Sequence, residues 1–208
     1  MAEDSEPPSL VFLDACCAIN VLASGAAQEI LRSLPFQVAV TPRVLKEEVL
    51  YVRDEPTREA AEDGSELELD LTATDDPEII IQKVGLQPLV ESGAVGAAGP
   101  LSDEELETFV TLALELDDGE AETAAAAIHR GGAIATDDKK AIRVLGLHAP
   151  GLVILRTSDL LRTWVVTRSI PGERVRETLV AIERKASFLP PRDDPERAWW
   201  VRIVEAGA

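Results

Sequence analysis

The chain is poor in cysteine, lacks an uninterrupted hydrophobic span and has few basic residues in its first two thirds. Two of its 208 residues are cysteine. Cys16 and Cys17 are adjacent, which leaves no spaced pair for a loop-closing disulfide and no zinc-ligand spacing. They read as small buried hydrophobes in a protein of the reducing cytoplasm. Residues 1–9 are acidic and contain proline, with no basic stretch of the kind that begins a secretory signal. The most apolar run, residues 10–27, is broken by Asp14 and Asn20 and makes a poor membrane span, so no membrane association is expected. No internal repeat is visible.

The shortage of basic residues is uneven. Residues 1–128 hold 6 Lys and Arg against 28 Asp and Glu, and residues 129–208 hold 14 against 10, within a net charge of -18. This excludes a broad basic surface for nucleic acid and leaves room only for a local basic rim from the C-terminal third. What the chain does have is apolar residues, 46% of the total, enough for a substantial core in one domain of this length.

The apolar residues fall into short strands alternating with helices, the pattern of a parallel α/β sheet. Leu10-Val11-Phe12-Leu13 reads as a fully apolar central strand ending at Asp14. Residues 15–34 follow as a helix with a weak point at Ser24-Gly25, and residues 36–40 form a second strand. Thr41-Pro42 starts a helix expected to run through Val44, Leu45, Val49 and Val52, with Glu47 and Glu48 on it about 100° apart. Residues 53–100 carry 12 acidic and 3 basic residues. They are read as an acidic insertion beside the sheet, with a strand at Leu67, Leu69 and Leu71 and a strand or short helix at Ile79-Ile80-Ile81. Ser102-Asp103-Glu104-Glu105 has the form of a capping box.

The densest acidic motif is Asp117-Asp118-Gly119-Glu120-Ala121-Glu122, where Gly119 permits a turn and Glu120 opens an alanine-rich helix. Glu122, rotated by about 200° from Glu120, is expected to face solvent. Residues 133–136 form a strand that ends at Asp137 and Asp138, and residues 151–155 form another. Helices are expected over 158–168 and 171–186. A last helix beginning at Asp194-Pro195 carries Trp199 and Trp200, packed on the body or on a partner. The assignment is one domain over residues 1–165, including the insertion, and a C-terminal helical extension over 166–208 packed on or beside it.

Asp14, one of Glu47 or Glu48, Glu120 and one of Asp137 or Asp138 thus stand at strand ends or first helical turns, where open α/β sheets build their sites. Several carboxylates crowded together raise one another's pKa unless a cation compensates. Oxygen-only ligands suit Mg²⁺ or Mn²⁺, ions that can polarise a phosphodiester and activate water.

The segments Leu13-Asp14-Ala15, Glu47-Glu48-Val49-Leu50-Tyr51, Gly119-Glu120-Ala121-Glu122 and Thr136-Asp137-Asp138-Lys139 occur in an order and spacing that resembles PIN-domain nucleases. The Gly119-Glu120 pair before the alanine helix resembles the branch near VapC-type toxin ribonucleases. The resemblance covers residues 10 to about 165, apart from the insertion. It implies a three-layer fold with a central parallel sheet, Asp14, Glu48, Glu120 and Asp138 as catalytic metal-ligand acids, and Asp137 as a neighbouring ligand. It further implies Mg²⁺ or Mn²⁺ as cofactor, an RNA substrate cleaved by metal-activated water, an antitoxin protein covering the acidic cleft, and a homodimer. The family usually has Thr, Ser or Asn soon after the first Asp, where this chain has Ala15-Cys16. Two alternatives are a PIN-like protein-binding scaffold and a phosphatase of the haloacid-dehalogenase type. The latter normally needs a second Asp where Cys16 stands.

Overall fold

The structure, a computed structural model, describes residues 8–48, 50–54 and 80–206. Its centre is a parallel sheet of five strands in the order β5-β2-β1-β6-β7, formed by β1 (Leu10–Leu13), β2 (Gln37–Val40), β5 (Gly96–Ala97), β6 (Ala133–Ala135) and β7 (Ile154–Leu155). The sequence LVFL is apolar throughout because β1 lies mid-sheet with both faces covered. Val11 and Leu13 pack on one side and Phe12 on the other. β2 and β6 alternate likewise, with Val38, Val40, Ala133 and Ala135 on the first side and Ala39 and Ile134 on the second. The architecture is a three-layer α/β fold.

On the first face lie α1 (Ala15–Ala23), α2 (Ala27–Ser33), α8 (Thr157–Arg168), α9 (Gly172–Lys185) and α10 (Arg197–Glu205). The weak point expected at Ser24-Gly25 is a break, since Gly25 takes a φ of 68°, which glycine adopts without steric penalty. On the second face lie α5 (Asp103–Leu112), α6 (Asp118–His129) and α7 (Lys139–His148). The alanines of α6 at 121, 124, 126 and 127 are fully buried in that layer.

Residues 166–206 do not form a separate body. Val175, Leu179 and Ile182 of α9 and Trp199 and Trp200 of α10 share one core with β1 and α1. The Trp200 indole N–H also donates to Glu183 Oε1 at 2.8 Å. α8 continues to Arg168, across the boundary drawn at residue 165.

Three local expectations change. The helix begun by Thr41-Pro42, α3 (Pro42–Lys46), stops six residues before Val52. Leu50-Tyr51-Val52, rich in residues that suit a pleated surface, belongs to β3 (Leu50–Asp54), paired antiparallel with β4 (Ile80–Val84) in a separate two-stranded sheet. Glu47 and Glu48 therefore sit in the turn after α3, not on a helix face. Gly119 lies inside the first turn of α6 and makes no bend. β5, preceded by the short α4 (Gln87–Glu91), belongs to the main sheet although it falls within the stretch read as an insertion beside it. The expected strand at Leu67, Leu69 and Leu71, and Val49, lie outside the described residues. Among those described, no helix is long and apolar enough to cross a membrane.

Candidate active site at the carboxyl edge of the sheet

From β1 the chain runs outward through β2 to β5, then returns to β6 on the other side of β1. That reversal opens a crevice at the carboxyl ends of β1 and β6, the place where open α/β sheets bind ligands. The parallel registers, continued past their last pairs, set Asp14 between Thr41 and Thr136. Asp14 is 3% exposed and is the N-cap of α1, accepting from Ala15 N–H at 2.8 Å through Oδ1. Its Oδ2 accepts from the Thr136 hydroxyl at 2.8 Å and from the Cys16 thiol at 3.2 Å. Burial raises the Asp14 pKa above the ordinary carboxylate value and the charge of Asp138 adds to the rise, while these hydrogen bonds oppose it.

Asp138 caps α7, with Oδ1 accepting from Ala141 N–H at 2.8 Å. Its own N–H donates to Thr136 Oγ1 at 3.2 Å, so one buried threonine fixes both aspartates. Glu120 is half-buried in the first turn of α6 and accepts from Asp117 N–H at 3.2 Å, closing a capping box. Its pKa is pushed up to about 7, mainly by burial and then by the charges of Asp138, Asp14 and Asp117. Glu48 reaches the same place from the α3–β3 turn. A Cβ on Gly119 would lie 1.6 Å from Glu48 Oε1, so this glycine is the space the Glu48 carboxyl occupies. Burial raises the Glu48 pKa too, with Asp14, Asp117 and Glu122 adding to it and Arg43 opposing.

Asp14, Glu48, Glu120 and Asp138 thus come from four separated segments to one place, where Asp14 acts on Glu48 and Glu120 and Asp138 on Asp14 and Glu120. Glu47 does not join them, because Arg43 Nη1 holds it at 2.8 Å. Glu122 does not face solvent as expected: its side chain is 12% exposed and its Oε2 accepts from Arg43 N–H at 3.0 Å. It thereby caps α3 from a neighbouring helix, where Thr41 makes no capping bond.

Asp137 has different partners. Its side chain turns toward α1 and α8, where Oδ2 accepts from Asn20 Nδ2 at 2.9 Å, the Cys17 thiol at 3.3 Å and the Thr157 hydroxyl. Oδ1 accepts from Thr157 N–H at 3.1 Å. Its N–H donates to Cys16 Sγ at 3.2 Å. Cys16 therefore links the Asp14 carboxylate to the Asp137 backbone.

Among the described residues, one set of three Cys, Asp, Glu or His groups brings its ligand atoms within 4.8 Å of one another and could hold a metal ion: Cys16, Cys17 and Asp137. This corrects the expectation that the cysteines lack ligand spacing. Their third member lies 120 residues away and arrives only through the pairing of β1 with β6. Asp14, Glu48, Glu120 and Asp138 are not part of that set. Thr136, Cys16, Asn20 and Thr157 are the supporting residues that sequence reasoning did not assign. Only Cys16, two positions after Asp14, carried a local signal.

Comparison with protein-family models finds no match, and no curated protein is detectably similar to the chain.

Proposed function

We propose that the protein is a metal-dependent ribonuclease of the PIN type, with Asp14, Glu48, Glu120 and Asp138 holding Mg²⁺ or Mn²⁺. One observation carries the reading. Three of these four carboxylates have raised proton affinity, chiefly through burial, and in each case another member of the set adds to the rise: Asp138 on Asp14, Asp14 on Glu48, and both aspartates on Glu120. An all-carboxylate donor set under mutual repulsion fits a hard divalent cation, which relieves that repulsion and prefers oxygen ligands.

When bound, such an ion supplies Lewis-acid polarisation of a phosphodiester and a water made acidic enough to attack at neutral pH. The chain's own residues supply orientation. Thr136 fixes Asp14 Oδ2 and the backbone of Asp138, and Cys16 adds a second donor to Asp14. Gly119 leaves room for the Glu48 carboxyl, and the capping bond to Asp117 holds Glu120 at the helix start. Lys139, exposed in the first turn of α7, follows Asp138 directly and adds a positive charge at this edge of the sheet. A role as toxin, with an antitoxin offering Arg or Lys to the acids, belongs to the same proposal.

The test is cleavage of labelled RNA by the purified full chain with Mn²⁺, alongside EDTA and Asp14→Asn controls. Cleavage is expected to disappear in both controls. Activity that survives either control, or no activity on any RNA with Mn²⁺ or Mg²⁺ present, overturns the proposal.

A further inference from the structure

The hydrogen-bonded node of Cys16, Cys17 and Asp137 lies beside the acids but has a different chemistry. Three potential ligand atoms sit within 4.8 Å of one another, a spacing that one ion can bridge. Two are sulfur, which favours borderline-soft cations such as Zn²⁺ over Mg²⁺ or Mn²⁺. The node is also reachable. Cys16, Asn20 and Asp137 line a cavity of about 520 Å³ whose opposite wall is Ser187, Phe188 and Leu189, from the segment after α9. Cys16 is half-buried and Cys17 fully buried, so the cavity side of the node is the side an ion would enter.

We propose that Cys16, Cys17 and Asp137 form a second metal site, for a thiophilic divalent ion of the Zn²⁺ class, separate from the carboxylate cluster around Asp14. Loading breaks two S–H bonds, releases both protons to solvent, and forms two metal–sulfur bonds and one metal–oxygen bond, with no oxidation or reduction. A carboxylate with two neutral thiols becomes a divalent ion with two thiolates and one carboxylate. The formal charge of the buried set is unchanged on loading, and the ion's charge offsets the burial that chiefly holds the Cys17 thiol well above its ordinary pKa.

Loading has a consequence for the neighbouring acids. Cys16 gives up the proton that it donates to Asp14 Oδ2, and Asp137 exchanges the Cys17 donor for the ion. Asp14 is left with the Thr136 hydroxyl and Ala15 N–H. Occupancy of the thiol site therefore loosens a residue of the proposed catalytic set, an inhibitory coupling that rests on the ribonuclease reading. The existence of the site does not.

The experiment uses the reduced full chain titrated with Co²⁺, a spectroscopic substitute for zinc. The expected result is an intense near-ultraviolet thiolate-to-cobalt charge-transfer band that saturates at equimolar Co²⁺ and disappears on adding Zn²⁺. The band is expected to be lost in Cys16→Ser and kept in Asp14→Asn, whose circular dichroism spectra verify folding. A weak spectrum of oxygen-ligated cobalt in the unmodified protein, or a full-strength band in folded Cys16→Ser, overturns the site. Where RNA cleavage is measurable, Zn²⁺ is expected to lower the Mn²⁺-dependent rate about tenfold or more, on the scale of lost ligand-orienting contacts. Unchanged cleavage with the charge-transfer band present overturns the coupling and leaves the site. Absence of cleavage altogether bears on the ribonuclease reading alone.

Discussion

Glu120 shows how a single residue links the site to stability. Its carboxyl binds a proton up to about pH 7 in the folded protein, against an ordinary value of 4.5. The folded state therefore holds this proton more tightly than the unfolded chain does. The stability it contributes is fully present below the unfolded value and is lost as pH rises through about 7. In metal-free protein the thermal midpoint is expected to fall between pH 5 and pH 8 by roughly 2–4 °C, corresponding to about 1 kcal/mol after allowance for solvent screening of a half-exposed group. Glu120→Gln is expected to flatten that fall. A pH profile that differs in neither direction nor size between the two proteins would remove the basis for placing Glu120 among repelling charges. Asp14 and Glu48 shift in the same direction and so reinforce the trend.

At the scale of the element, α6 serves two purposes that pull apart at Gly119. A glycine inside a helix costs up to about 1 kcal/mol relative to alanine, yet here it admits the Glu48 carboxyl. Gly119→Ala would place a Cβ 1.6 Å from Glu48 Oε1 and 2.9 Å from its Cδ. The clash is with the far end of a flexible side chain, so Glu48 moves and the backbone does not. The expected outcome is a thermal midpoint that is unchanged or higher, with metal-dependent cleavage reduced about 10–100-fold. Full activity in folded Gly119→Ala would show that Glu48 is not needed where it stands.

The elements also mark where sequence patterns sufficed. The apolar strand before Asp14, the proline start of α3 and the capping box of α5 were legible because each is set by neighbours within a few residues. In α5 the Ser102 N–H donates to Glu105 Oε2 at 2.7 Å and Glu105 N–H to Ser102 Oγ at 3.3 Å. The extent of α3 was not legible, since Val49 and Val52 continue the apolar spacing of Val44 and Leu45, and only a partner strand, residues 80–84, draws residues 50–54 into a sheet. The outward reading of Glu122 failed similarly. Periodicity along α6 is silent about the N-terminus of α3, which supplies the Arg43 N–H that Glu122 accepts.

For the whole molecule the governing quantity is a net charge of -18. Like charges repel across the folded surface, and salt weakens that repulsion as the screening length falls from roughly 30 Å at 0.01 M to about 3 Å at 1 M. The thermal midpoint is expected to rise steadily with NaCl over this range. MgCl₂ or MnCl₂ at matched ionic strength is expected to raise it further, and that excess is expected to vanish in Asp14→Asn. An excess that persists in Asp14→Asn would mean that the cations act on the general acidic surface and not at the candidate site.

The sequence by itself determined the α/β class, the central strand, the acidic imbalance and the acids Asp14, Glu48, Glu120 and Asp138 as candidates. These follow from local order: which residues alternate, which follow a strand, and which begin a helix. Only the tertiary structure decided the company each acid keeps. Asp137 and Asp138 are consecutive, yet one is bound by Cys17, Asn20 and Thr157 and the other caps α7 beside Asp14's threonine. The same holds for Cys16 and Cys17, which acquire a third ligand group only because β6 lies against β1. Burial and hydrogen-bond partners depend on which segments the sheet order brings side by side, and that order is not written in the spacing of any one segment.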